Sequence, residues 1–111
     1  MQVTRNHPPV GGKDSSDHDT MHPGIWLAFG NISGQDFWRN KATIRHERFA
    51  EQPVVSKEHL TFSTVSSLIG TNGSILAKLD SYFALTALTN GHVLNWTAFF
   101  TTTNNDLVFG D

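Results

Sequence analysis

LTFSTVSSLIGTNGSILAKLDSYFALTALTNGHVLNWTAFFTT, residues 60–102, is the stretch that decides the fold class. It holds two turn dipeptides, Asn72-Gly73 and Asn90-Gly91, each flanked by alternating apolar and polar residues. Asn-Gly suits a two-residue type I′ hairpin turn, because both central residues there need positive φ, and such a turn fixes the register of its strands. Across the first turn Leu68 then faces Ala77, Phe62 faces Phe83 and Leu60 faces Leu85. Across the second, Ala87 faces Leu94, Leu85 faces Trp96 and Phe83 faces Ala98. Both turns put the apolar residues on one face, and a slip of one residue would scatter them over two. The spacing therefore predicts a three-stranded antiparallel meander over residues 60–102, with strands near 60–69, 74–89 and 92–102. Its other face is mixed, with Tyr82 opposite Phe99 and Leu88 opposite Val93.

Working outward, residues 101–106 read as a turn, and Leu107-Val108-Phe109 opens another strand that stops after two more residues. Upstream, Ala42 to Phe49 alternates, with Ile44, His46 and Arg48 on one face and Thr43, Arg45, Glu47 and Phe49 on the other. A helix over Lys41 to Glu51 is the competing reading, and Gln52-Pro53 ends either element. Ile25 to Ile32 is almost wholly apolar, too short for a typical helix and bounded by Gly24 and Gly34, which predicts a strand covered on both faces. Residues 1–24 hold all but one of the four prolines and show no period. They read as a short strand at Val3 to Arg5 followed by a long loop, and such loops are usually functional or disordered.

A chain of 111 residues holds one domain. Its formal charge of −2, a pI near 6.3 and the lack of any run of like charges argue against nucleic acid or an anionic membrane as partner. With no cysteine there is no disulfide, thiolate zinc site or cysteine nucleophile, so any metal must use His and carboxylate. No apolar segment approaches the ~20 residues of a membrane helix, and the first residues carry no apolar core of a signal peptide. After Leu60 the only charged residues are Lys78, Asp80, Asp106 and Asp111. Thr, Ser, Asn and large apolar residues fill the rest, as suits packed strands. The expected fold is an all-β antiparallel sandwich, with residues 1–111 forming a single, partial domain. Starting and ending on isolated strands, it would leave strand edges open to self-association.

The chemistry-bearing residues gather at the mouth of the Ile25 strand, where Asp17, His18, Asp19 and His22 precede Pro23-Gly24. His18 and His22 have the spacing of helical zinc-protease ligands, but the Glu that should follow the first His is absent and Pro23-Gly24 opposes a helix. A looser site from the same four residues suits Zn, Mn or Fe. The plain alternative is that the aspartates cap the loop through backbone bonds and the histidines are surface residues. His46 is either a satisfied core histidine or a general acid or base tuned by burial. Trp26, Trp38 and Trp96 could stack on sugars, although Trp at apolar positions is more often core. Asp36 and Arg39 could hold a polar ligand or pair across a turn. Asn31-Ile32-Ser33, Asn72-Gly73-Ser74 and Asn95-Trp96-Thr97 match the glycosylation sequon, two of them in strands or a tight turn.

The run Asp17-His18, then Met21-His22-Pro23-Gly24-Ile25-Trp26-Leu27-Ala28-Phe29-Gly30, then Ser33-Gly34-Gln35-Asp36-Phe37-Trp38 and Ile44-Arg45-His46, resembles the family labelled "methane oxygenase PmoA". Members of that family carry Asp-His-Pro-His-His-Arg-Gly-Leu-Trp, a glycine-containing turn, Asp-Phe-Trp and a strand ending in His. Asp80-Ser81-Tyr82 and Phe109-Gly110-Asp111 are similar to its later strands. Here His-His-Arg is replaced by Met21-His22-Pro23 after a one-residue insertion, so a His and an Arg of the usual cluster are missing. The family is ~300 residues long, a size at which sandwiches stay one domain, which makes this chain look like a middle fragment. The resemblance implies a large two-sheet sandwich like those of sugar mutarotases and polysaccharide lyases.

By that fold analogy the leading expectation is a carbohydrate-active protein, epimerase-, lyase- or hydrolase-like. His18, His22 and His46 would do acid/base work on a small carbohydrate held by Asp17, Asp36, Trp38 and Arg45. The site would lie where the loop ending at His22 meets the Asp36-Phe37-Trp38 corner, with the Ala42–Phe49 strand antiparallel to the Ile25–Ile32 strand and His46 beneath. The alternatives are a metal-dependent oxygenase, as the family label says, and a non-catalytic sugar-binding module. No cofactor is named by the sequence.

Overall fold

The computed structural model describes residues 27, 29–39, 41–102 and 105–110. The architecture is all-β and antiparallel, with no helix among the described residues, as in part of a β-sandwich. Six strands form two sheets: β1 (Asn31–Ile32) pairs with β6 (Phe109–Gly110), while β2 (Thr43–Ser56), β3 (His59–Ile69), β4 (Ile75–Leu88) and β5 (Gly91–Thr101) form a sheet in that order. Among the described residues no helix is long and apolar enough to cross a membrane.

The first hairpin keeps the expected pairs Leu68–Ala77, Phe62–Phe83 and Leu60–Leu85 but reaches them by another turn. Gly73 N–H donates to the Gly70 carbonyl and Gly70 N–H to that of Ser74, both at 2.9 Å, closing a three-residue loop with only Gly73 at positive φ, +83°. Such a loop ends in a glycine that forms a bulge. Asn72 takes ordinary negative φ and turns its side chain inward, where Oδ1 accepts from Ser74 N–H at 3.0 Å and Oγ at 2.6 Å. A register shift between Leu68 and Ile69 absorbs the extra loop residue.

The second hairpin differs from the sequence reading by two residues. Thr89-Asn90, not Asn90-Gly91, makes the loop, and Leu88 pairs with Gly91. Leu85 therefore meets Leu94, Phe83 meets Trp96 and Ala87 meets His92, while on the other face Asp80 meets Phe99 and Thr86 meets Val93. None of the three turn residues takes positive φ, so the type I′ expectation fails here. In the observed register Phe83 stacks on Trp96 at 5.1 Å as well as on Phe62 at 4.7 Å. Cross-strand aromatic pairs of this kind contribute up to about 1 kcal/mol each, enough to outweigh one turn preference. A shift of two leaves every side chain on its expected face.

β2 runs through Gln52-Pro53, where the sequence predicts a terminator. It is an edge strand whose register breaks between His46 and Arg48, Phe49 and Glu51, and Glu51 and Val54. Proline has no N–H to give a ladder, and an edge bulge is where that loss costs least. The helix alternative for residues 41–51 is likewise excluded. The expected strand over Ile25–Ile32 shrinks, among described residues, to Asn31–Ile32, and β2 pairs with β3 rather than with it.

Ile32 (1% exposed) and Leu68 (0%) centre a core shared with Phe37, Ala42, Ala77 and Leu79. The small sheet caps one end of the large one: Phe29 packs edge-on against Phe109 at 4.9 Å and Phe100 at 6.1 Å. At the opposite end of the same face, half-buried Phe83 and Trp96 and buried Phe62 form an aromatic row that Phe49 extends from β2 at 6.2 Å. No described segment covers that end as β1 and β6 cover the first.

Candidate functional site

The segment from β1 to β2 is built from two turns. Ser33 and Gly34 take φ of +50° and +82°, and Ile32 and Gln35 exchange backbone bonds at 3.0 Å, which gives this turn the positive-φ geometry the sequence reading placed elsewhere. Next, Asp36 Oδ1 accepts the Arg39 N–H at 2.9 Å and the Asp36 carbonyl accepts from Ala42 N–H. Phe37 is thereby folded into the core and Asp36 is left at the surface beside Arg39 (3.4 Å) and Lys41 (4.0 Å). The Arg39 backbone bond, with the two cations, holds the Asp36 carboxyl below its ordinary value.

The Ser33 turn is fastened on both sides. Ser33 N–H donates to the Val108 carbonyl at 2.7 Å, and Val108 N–H donates to Ser33 Oγ at 3.1 Å. Gln35 Oε1 accepts from Thr71 N–H at 2.8 Å and Thr71 Oγ1 at 3.1 Å, tying this turn to the β3–β4 hairpin. Between these fastenings lies a cavity of about 370 Å³. Its polar lining is Ser33, Ser74, Asn105 and Asp106; Ile75, Leu76 and Leu107 supply the apolar wall. The size falls in the range of small-molecule sites.

Of the residues named from sequence, the described ones, Asp36, Trp38, Arg45 and His46, do not line this cavity. His18, His22 and Asp17 lie outside the described residues, as does the proposed metal set with Asp19. Among the described residues no group of three or more His, Asp or Glu converges as a metal site. His46 is exposed on edge strand β2, its ring edge-on to Phe49 at 5.2 Å. Arg45 is turned to Glu47, bonding through Nε at 2.9 Å and pairing through its terminal nitrogen at 2.7 Å; with Ser67 it lowers the Glu47 carboxyl. Trp38 is half-buried next to Phe37. Trp96 belongs to the aromatic row, with Nε1 buried and lacking an acceptor.

Two features escaped the sequence reading. The cavity's polar groups sit in stretches recognisable only as turns, and their convergence depends on β6 returning to β1. A second, shallower hollow of about 200 Å³ lies over Leu60, Leu85 and Ala87, with His59 and His92 at its rim; His59 Nδ1 is 3.1 Å from Thr86 Oγ1.

Residues 2–111 match a family described as "Family of unknown function (DUF6807)". The chain belongs to the DUF6807 family. No curated protein and no solved structure matches it. For this DUF6807 chain, the cavity between the Ser33 turn, the β3–β4 hairpin and the Asn105-Asp106 segment is larger and more enclosed than the hollow beside His59 and His92.

Proposed function

We propose that this chain is part of a carbohydrate-active protein and that the cavity is where a neutral sugar sits. The observation that carries this reading is the cavity's lining. Asp106 supplies a carboxylate that can accept two hydrogen bonds from neighbouring hydroxyls, Asn105 an amide that both donates and accepts, and Ser33 and Ser74 hydroxyls. Ile75, Leu76 and Leu107 offer aliphatic surface to the C–H face of a ring. Among the described lining residues there is one carboxylate and no cation, which disfavours anionic ligands, whereas a polyol satisfies the mixed set.

In the catalytic form of this reading, His18 and His22 are the candidate acids and bases and Asp17 a candidate substrate contact, as residue chemistry and family resemblance suggest; Asp36, Trp38, Arg45 and His46 do not line the cavity and are not contacts of a sugar within it. A second reading, a non-catalytic sugar-binding module, is favoured by the absence of any histidine from the cavity's described lining. Calorimetric titration with a panel of neutral mono- and disaccharides tests the common element. Binding that falls at least tenfold in Asp106→Ala is the expected result, and binding unchanged by that substitution overturns the site. Turnover of mutarotation or lyase substrates, lost in His22→Ala, then separates the catalytic reading from the module.

A further inference from the structure

The two edges of the large sheet are built differently. β2 carries Arg45, Glu47, Arg48 and Glu51, includes Pro53 and breaks register three times. These are the devices by which proteins keep an edge from pairing with another chain. β5 has none of them: HVLNWTAFF within Gly91–Thr101 contains no charged residue, no proline and no register break against β4. Nothing among the described residues pairs with its outer edge. On the face away from the core, Val93 and Phe99 are 43% and 62% exposed.

We propose that two copies of this chain pair through β5, antiparallel about a twofold axis at Trp96, to form one continuous eight-stranded sheet. Trp96 is the midpoint of Gly91–Thr101, so this register pairs the whole strand with its copy. It sets Val93 opposite Phe99 of the second copy, an aromatic and β-branched pair of the kind that stabilises antiparallel ladders. On the core-facing side it sets Leu94 opposite Ala98 and brings the two Trp96 rings together, which continues the Phe62–Phe83–Trp96 stack across the axis. Because β5 lacks charge, no like charges meet in this arrangement. The symmetry is closed, giving a dimer and not a fibre.

Sedimentation over a range of concentrations tests it, against a monomer of 12.3 kDa. The wild-type chain is expected to approach twice that mass; a monomer at every concentration, or an open series of larger species, overturns the proposal. Asn95 and Thr97 are exposed and would face each other across the axis. N95K/T97K places lysine opposite lysine and is expected to give a monomer. N95K/T97E places lysine opposite glutamate and is expected to stay dimeric, which separates repulsion at the interface from damage to the fold. A dimeric N95K/T97K or a monomeric N95K/T97E contradicts the pairing. Register is read by disulfide formation, since the chain has no cysteine of its own. Oxidised V93C and F99C should cross-link when mixed and not when separate, and cross-linking within either variant alone rules out the twofold at Trp96.

Discussion

Leu68 and Leu85 lie on the same face of the large sheet, on adjacent strands, and replacing each by alanine should have very different costs. Leu68 is 0% exposed and enclosed by Ile32, Phe37, Ala42 and Leu79, whereas Leu85 is half-buried at the end that β1 and β6 do not cover. Leu68→Ala removes about three carbon groups at ~0.8 kcal/mol each. The enclosed cavity left behind raises the loss to roughly 3–4 kcal/mol. Leu85→Ala removes the same atoms from a site already partly wet and leaves no closed void, so about 1 kcal/mol is expected. Domains of this size have only about 5–15 kcal/mol of net stability, and at roughly 4–8 °C per kcal/mol the first variant should melt at least ~12 °C below wild type. Urea unfolding followed by tryptophan fluorescence gives both losses, provided the slope with denaturant is unchanged. Equal losses, or a larger loss for Leu85→Ala, would mean that the core lies under the aromatic row and that the account of the two ends is wrong.

Gly73→Ala should cost about 1 kcal/mol through backbone strain alone, since φ there is +83° and nothing lies within 4 Å of an added Cβ. Gly91→Ala, at an ordinary strand φ, should be neutral or slightly stabilising; a cost equal to that of Gly73→Ala in urea midpoints would restore the Asn90-Gly91 turn. The carboxyl of Asp36 is held below its ordinary value of 3.8, so its contribution is present above that pH and is lost as acid carries the pH down through the folded value. Asp36→Ala should therefore be destabilised at neutral pH and converge with wild type in strong acid, and parallel acid-unfolding curves would refute that linkage. Gln35→Ala frees Thr71 from the Ser33 turn and should weaken sugar binding although Gln35 does not line the cavity; calorimetry with unchanged affinity would show that the tie is not needed.

What was legible in the sequence follows from the period of two. Alternation from Leu60 to Thr102 carries the strands and the face of every residue, because a face depends only on odd or even position. Register is a finer quantity and was readable only in part. The first hairpin kept its pairs because a bulge restored what the longer loop changed, while in the second the Phe83–Trp96 stack prevailed over Asn90-Gly91. Pro53 misled because a terminator in a central strand is tolerated at an edge, and edges are set by strand order, which local pattern does not contain. The apolar run ending at Ile32 misled in its described part because residues packed over a sheet end are apolar too: Leu27 and Phe29 pack against the core cluster that contains Ile32, Leu68 and Ala77. The cavity was illegible for a similar reason. Ser33, Ser74 and Asp106 meet only after β6 returns to pair with β1, a contact between positions far apart in the chain.

The proposed sugar would occupy the space between the Ser33 turn, the β3–β4 hairpin and the segment leading into β6. Backbone amide shifts recorded by NMR during titration with the tightest-binding neutral sugar test it most directly. Concentration-dependent shifts are expected at Ser33, Ser74, Asn105 and Asp106, with little change at His59 and His92. Shifts confined to the His59 and His92 hollow or to the Phe83–Trp96 row, with the four cavity residues unmoved, would contradict it.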